Sequence, residues 1–339
     1  MKHTVLTAGC LAALMLSAPA YALDGWHLEN ATKLGAKTAG FDYITYDETT
    51  KRLFLGHRKE GLQVFDPVSK KVVGVIAGTP EHGGNSALLM PEFDLGISNN
   101  QDGTITPFKL STLEAKDLIK LDRKVDTSHY DPATKRIVVN TEAGPDGTDL
   151  IVLDVPSLKT AGVIKVATKK AEHAQADGKG NFYLASRDPA KVYRIDTKNM
   201  KVTGEWPTPG CSGTTGLAVD AANKRIFLGC RTGEGVKPVL AVMNADTGAI
   251  VYTGEIGNGN DGVVYDAQSK RIFASNSSAP NLNVFEQVNA DTYKALDAME
   301  THPPIKVLAY DPKNKKIYSM GMEIGEPSTF AVLGYAKGK

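Results

Sequence analysis

A short phrase returns along this chain at a nearly constant interval: an aromatic residue or Val, then Asp, a polar spacer, a basic pair and an apolar run. It reads Tyr46-Asp47 into Lys51-Arg52-Leu53-Phe54-Leu55, then Tyr130-Asp131 into Lys135-Arg136-Ile137-Val138-Val139. It comes back as Val219-Asp220 into Lys224-Arg225-Ile226-Phe227-Leu228, and as Tyr265-Asp266 into Lys270-Arg271-Ile272-Phe273-Ala274. The last copy is Tyr310-Asp311 into Lys315-Lys316-Ile317-Tyr318, and a weaker one, Ala176-Asp177 into Asn181-Phe182-Tyr183-Leu184, lies in the middle. The Asp positions step by 84, 46, 43, 46 and 45 residues, the first being a double step over one degenerate copy. A fixed period in the forties with several β runs per unit specifies a ring of small sheets, a β-propeller.

Length sets the number of units. The first residues, with Lys2 and His3, an apolar run from Val5 to Leu16 and Ala20-Tyr21-Ala22, read as a secretory signal peptide (1–22) cleaved after Ala22. Residues 23–339 of the 339-residue chain then divide into seven units of about 45 residues, one propeller domain. In the first unit four strands are expected, at Phe41–Tyr46 (A), Arg52–Gly56 (B), Leu62–Asp66 (C) and Lys71–Ile76 (D). The second has lost the phrase but keeps the rhythm, with strands expected at Ser86–Met90, Leu95–Ser98, Thr104–Lys109 and Lys116–Leu121. The seventh ends one strand short, and Trp26–Leu34, which belongs to no unit, is expected to supply it, leaving no open edge between first and last blades.

The copies that run Lys135-Arg136-Ile137-Val138-Val139-Asn140 and then Leu150-Ile151-Val152-Leu153-Asp154 resemble the B and C strands of the YVTN-repeat propellers, the YncE-like periplasmic proteins in particular. The resemblance covers nearly all of residues 39–335. It implies a seven-bladed, all-β propeller exported to the bacterial periplasm. It says little about activity, because one propeller fold hosts unrelated functions.

Measured from the anchor Asp, the residues five positions earlier stand at the start of each A strand. They are Asp42, Asp126, Glu172, Thr215, Asp261 and Lys306, with Asn85 in the degenerate unit. A strands line a propeller's axis, so these residues are expected to converge on one mouth. Asp42, Asp126, Glu172, Asp261 and Asn85 offer the oxygen donors that suit Ca²⁺ or another hard divalent cation. Gluconolactonase-type propellers are similar in donor type. The bland alternative is that such residues only cap backbone amides.

At the ends of B strands stand His57-Arg58, Ser186-Arg187 and Cys230-Arg231. Arg58, Arg187 and Arg231, with His57, are candidates to grip an anionic ligand; pairing with the acidic ring or facing solvent are the competing roles. His57, His82, His173 and His302 all fall near strand starts or ends, without a common offset. Cys211 and Cys230 flank the fifth blade's A and B strands, and an even pair in an exported chain reads as a disulfide.

The mature chain carries 38 basic and 38 acidic side chains once Lys2 is removed, and 7% aromatics overall. That balance does not advertise a nucleic-acid groove, and no run approaches the roughly 20 apolar residues of a membrane span. The leading expectation is therefore a monomeric, non-enzymatic binding propeller for a small polar or anionic ligand or a periplasmic partner protein. A metal-dependent hydrolase of the lactonase type is the runner-up, with Glu172 or His173 as its base, and a nucleic-acid-binding propeller comes third.

Overall fold

A computed structural model of the chain describes residues 26–34, 40–296, 298–301, 305–322 and 330–337. The expected signal segment and His302 lie outside them. The strands form seven separate antiparallel sheets. Each innermost strand packs on that of the next sheet, and Ile305–Asp311 of the last packs on Phe41–Asp47 of the first, which closes the ring. Blade one runs Phe41–Asp47, Arg52–His57, Gly61–Asp66 and Lys71–Val75, within a residue or so of the expected bounds. Blade seven is completed by Trp26–Leu34 pairing antiparallel with Phe330–Lys337, as the leftover strand required. Trp26 seals that joint by meeting Phe273 of blade six edge-on at 5.4 Å.

Two outer strands differ from expectation. In blade two the D strand shrinks to Ile119–Lys120. The C strand it pairs with contains Pro107, which has no N–H to give, so the ladder frays there to a single bridge between Phe108 and Ala115. In blade six the outer position is shared by Thr292–Ala295 and Met299–Glu300, both paired with Asn281–Asn289.

The repeated phrase has two jobs. Its Asp caps the A–B turn: Asp47 Oδ1 accepts from Thr49 N at 2.9 Å and Oδ2 from Thr50 Oγ1 at 2.6 Å. The first basic residue ends the turn in the left-handed region in every copy of the full phrase, at Lys51, Lys135, Lys224, Lys270 and Lys315, with φ between 52° and 61°. In the weaker copy Gly180 takes that place at no steric cost.

The second job is a latch between blades. Tyr46 donates to Asp311 Oδ2 at 2.8 Å, joining blade one to blade seven, and Tyr310 donates to Asp266 Oδ2 at 2.8 Å, joining seven to six. Tyr265 donates to Gln287 Oε1 at 2.5 Å, and Gln287 Nε2 donates onward to Asp220 Oδ2 at 2.9 Å. Tyr130 faces the blade that lost its Asp and turns to Glu92, which together with burial pushes its phenol up to about 12; burial is the larger cause. Tyr46→Phe leaves the buried Asp311 carboxylate short of a donor at the ring's closing seam, and is expected to cost about 1–2 kcal/mol in urea unfolding. Tyr130→Phe, with its exposed partner Glu92, is expected to cost less than about half of that. Equal losses would remove the latch as an explanation of the repeated Tyr.

Candidate functional site at the axial mouth

The A strands deliver their first residues to one mouth. Met90 pairs with Leu95 as Asp47 pairs with Arg52, so Asn85 holds the ring position in blade two. Asp126, Asp42, Glu172 and Asp261 all act on the phenol of Tyr43. Burial first, then these four charges, raise it well above the ordinary range. The four acids therefore share one space, as their offset from the anchor predicts.

Their neighbours are not those of an oxygen cage. Asp42 contacts Arg58 Nη2, and Lys306 Nζ at 3.3 Å. Asp126 takes Lys170 Nζ at 2.9 Å; Glu172 contacts Arg187 Nη2; Asp261 contacts Arg231 Nη2. Five basic groups thus face four carboxyls, an excess of one positive charge. Among the described residues no three His, Cys, Asp or Glu side chains come together to hold a metal ion. Asn85 is a bridge across three blades: its Oδ1 accepts from Arg58 Nε at 2.8 Å and its Nδ2 donates to Asp126 O at 3.1 Å.

The arginines reach the ring through a local device. Leu55-Gly56-His57-Arg58 and Leu228-Gly229-Cys230-Arg231 place a glycine where the next blade's A strand begins, so the chains approach closely enough for the guanidinium to cross. Arg231 Nε donates to Asn260 O of that next blade at 2.9 Å. His57, expected at the ligand face, is fully buried. Its ring packs edge-on against Phe41 at 4.4 Å, and its Nδ1 accepts from the amides of Lys59 and Glu60 at 3.2 and 3.0 Å. It shapes the turn that presents Arg58. His82 lies off the ring beside Asp102, with Nδ1 and Oδ2 2.6 Å apart. The fifth-blade cysteines form the expected disulfide, with Cα atoms 5.2 Å apart.

Tyr43 and Lys170 matter here, and neither stands out in the sequence pattern. One residue deeper than the ring the seven strands carry Tyr43, Ser86, Thr127, His173, Gly216, Gly262 and Val307. The two large planar side chains belong to blades one and four, across the ring from each other, and their rings meet at 5.6 Å. Both are half-buried by surface yet enclosed by neighbours, as side chains facing a narrow channel are. They floor the mouth, and small residues at the other five positions make room for them. The size pattern at this position was the available signal. Lys170, two residues before Glu172, was the other omission.

Glu172 is the most enclosed ring acid. Its side chain is 6% exposed, against 11%, 22% and 21% for Asp42, Asp126 and Asp261. Burial raises its carboxyl, the Arg187 and Lys170 charges pull it back, and the outcome is about 7. His173 is held below the ordinary imidazole range by burial, and His129 beneath it falls to about 3 through burial and the His173 charge. The His129 imidazole is neutral at pH 7. Outside this cup, a shallow cleft of about 770 Å³ runs past Arg58, His82, Asp102, Asp126 and Lys170. It shares Arg58, Asp126 and Lys170 with the mouth and is otherwise open surface.

No helix among the described residues is long and apolar enough to cross a membrane. No family model matches the chain, and no curated protein matches it in sequence. Solved structures do match. A chain in the crystal structure of the mitotic checkpoint complex superposes with a TM-score of 0.76 over 99% of this chain and 99% of its own, at 12% identity. At that identity the likeness is one of fold, and the fold is the seven-bladed β-propeller described above.

Proposed function

We propose that this protein is an exported binding propeller, YncE-like and periplasmic, that holds a small polar anion at its axial mouth. The observation that carries the reading is Arg187. Its Nη2 meets Glu172, while its Nε is buried and without a hydrogen-bond partner among the described residues. A guanidinium edge left half-used in an enclosed, net-positive cup is a place for a carboxylate or phosphate oxygen. The buried disulfide supports the assignment to an oxidising compartment. Calorimetric titration with a panel of small carboxylates and inorganic phosphate tests it. Arg187→Ala is expected to weaken binding at least about tenfold, the loss of one charge-assisted contact. If no member of the panel binds the unaltered protein, the anion reading is wrong.

A further inference from the structure

We propose that the mouth takes a small hydroxylated monocarboxylate, whose carboxylate displaces Glu172 from Arg187 while Glu172 takes up a proton. This rests on the anion-binding reading above and names the ligand class and the exchange that admits it.

The geometry sets up a substitution rather than an addition. Arg58 and Arg231 each commit two nitrogens, one to a ring acid and one to the neighbouring blade. Among the described residues Arg187 commits only Nη2, in an ion pair with a carboxyl that is itself buried. An incoming carboxylate that used the Nε edge as well would make the two-point contact that Glu172 does not. The exchange also conserves charge. With Glu172 ionised, five cations face four carboxylates. With Glu172 protonated and a monoanion on Arg187, the count is the same. A dianion would carry the site to neutrality, so a monoanion is the ligand for which the exchange leaves the charge of the mouth unchanged. The balance is simple: carboxylate and one proton enter, nothing leaves, and the proton resides on the Glu172 carboxyl.

The groups around Glu172 agree with this. Arg187 faces it from its own blade's B strand, Lys170 and His173 flank it on its own A strand, Asp126 approaches from blade three, Arg231 from blade five and Tyr43 from blade one. Ionised Glu172 thus already titrates near neutrality, at about 7, and losing Arg187 to a ligand would remove its main stabilising charge.

The uncharged part of the ligand follows from the atoms left unpartnered nearby. Thr215 Oγ1, in the next blade's ring position, and His173 Nδ1, on the floor, are buried without hydrogen-bond partners among the described residues. Thr215 is completely buried and lies beside His173. Two buried orphan polar atoms on adjacent A strands call for hydroxyls or water, not for further charge.

The test is calorimetry on the whole protein with glycerate, threonate and gluconate, against propionate and sorbitol as probes lacking the hydroxyls or the carboxylate. Affinity for the best hydroxy acid is expected to fall about tenfold from pH 6 to pH 8, with about one proton taken up per ligand at pH 8, measured in buffers of different ionisation heat. Glu172→Gln should bind without proton uptake and with equal affinity at both pH values. Affinity independent of pH in both proteins would overturn the exchange while leaving an anion site standing. Propionate binding as tightly as the hydroxy acids would overturn the ligand class. Failure of every carboxylate to bind the unaltered protein at either pH would remove the anion reading and this inference together.

Discussion

Gly56→Ala is expected to lower stability by about 3 kcal/mol, a large effect for one added methyl group. A Cβ at this position would stand 1.7 Å from the carbonyl oxygen of Asn85 and 2.4 Å from its carbonyl carbon. Those atoms are backbone, at the first turn of the next blade's inner strand, and Asn85 is fully buried and tied on both sides to Arg58 and Asp126. The only relief is to part the two blades. That motion would also carry Arg58 off Asn85, so the mouth would loosen along with the fold. Gly229 repeats the arrangement, with its added Cβ 1.8 Å from Asn260 Oδ1. Gly74→Ala is the control: its nearest new contact is Leu113 Cδ1 at 3.7 Å, and a change within about 0.5 kcal/mol is expected. Thermal unfolding of the two variants side by side decides the matter. Equal midpoints would mean that close approach of neighbouring blades is not what these glycines provide.

Reduction of Cys211–Cys230 is expected to cost a similar amount. The bond spans 19 positions of chain, and a closed loop of that size is worth about 3 kcal/mol by the entropy it removes from the unfolded state. In a domain of this length that corresponds to a fall in Tm on the order of 5 °C or more under reductant. Both cysteines are buried, packed among Leu217, Leu228 and Ala241, so little solvent-exposed slack remains to absorb the loss. Cys230 also precedes Arg231, whose amide donates to Gly213 O at 2.9 Å across the same junction. The reduced protein should therefore lose stability more than it loses shape, and the backbone bond should keep Arg231 close to Asp261. Unfolding midpoints of the oxidised protein with and without dithiothreitol, alongside the Cys211→Ser, Cys230→Ser double variant, measure it. Coincident midpoints in all three would show that the bridge does not stabilise the fold.

The architecture was legible because a propeller repeats one packing problem seven times. Each copy of Asp47, Asp131, Asp220, Asp266 and Asp311 caps the same turn, so the phrase recurs and its spacing counts the blades. Even the missing strand could be inferred, since Trp26–Leu34 had no other place in the ring. The reason for the aromatic residue ahead of the Asp could not. The partner of Tyr46 is 265 positions away in sequence, and only closure of the ring brings Asp311 beside it.

The mouth divides in the same way. Chain order alone determined which residues reach it, because a fixed offset from a capped turn fixes height along the axis; Asp42, Asp126, Glu172, Asp261, Arg58, Arg187 and Arg231 all followed from that ruler. His57 had the right offset and the wrong direction, since its ring was needed against Phe41 to hold the turn. Which charge answers which is settled by the folded ring alone. Arg58 and Arg187 pair within their own blades, Arg231 with the next, and Lys170 with the one before. Pairing depends on distances between neighbouring blades, and meetings across the axis such as that of Tyr43 with His173 have no counterpart in local sequence. The repeat sets the height of each side chain by local turn geometry; its neighbours around the circle are set by the curvature of the closed ring.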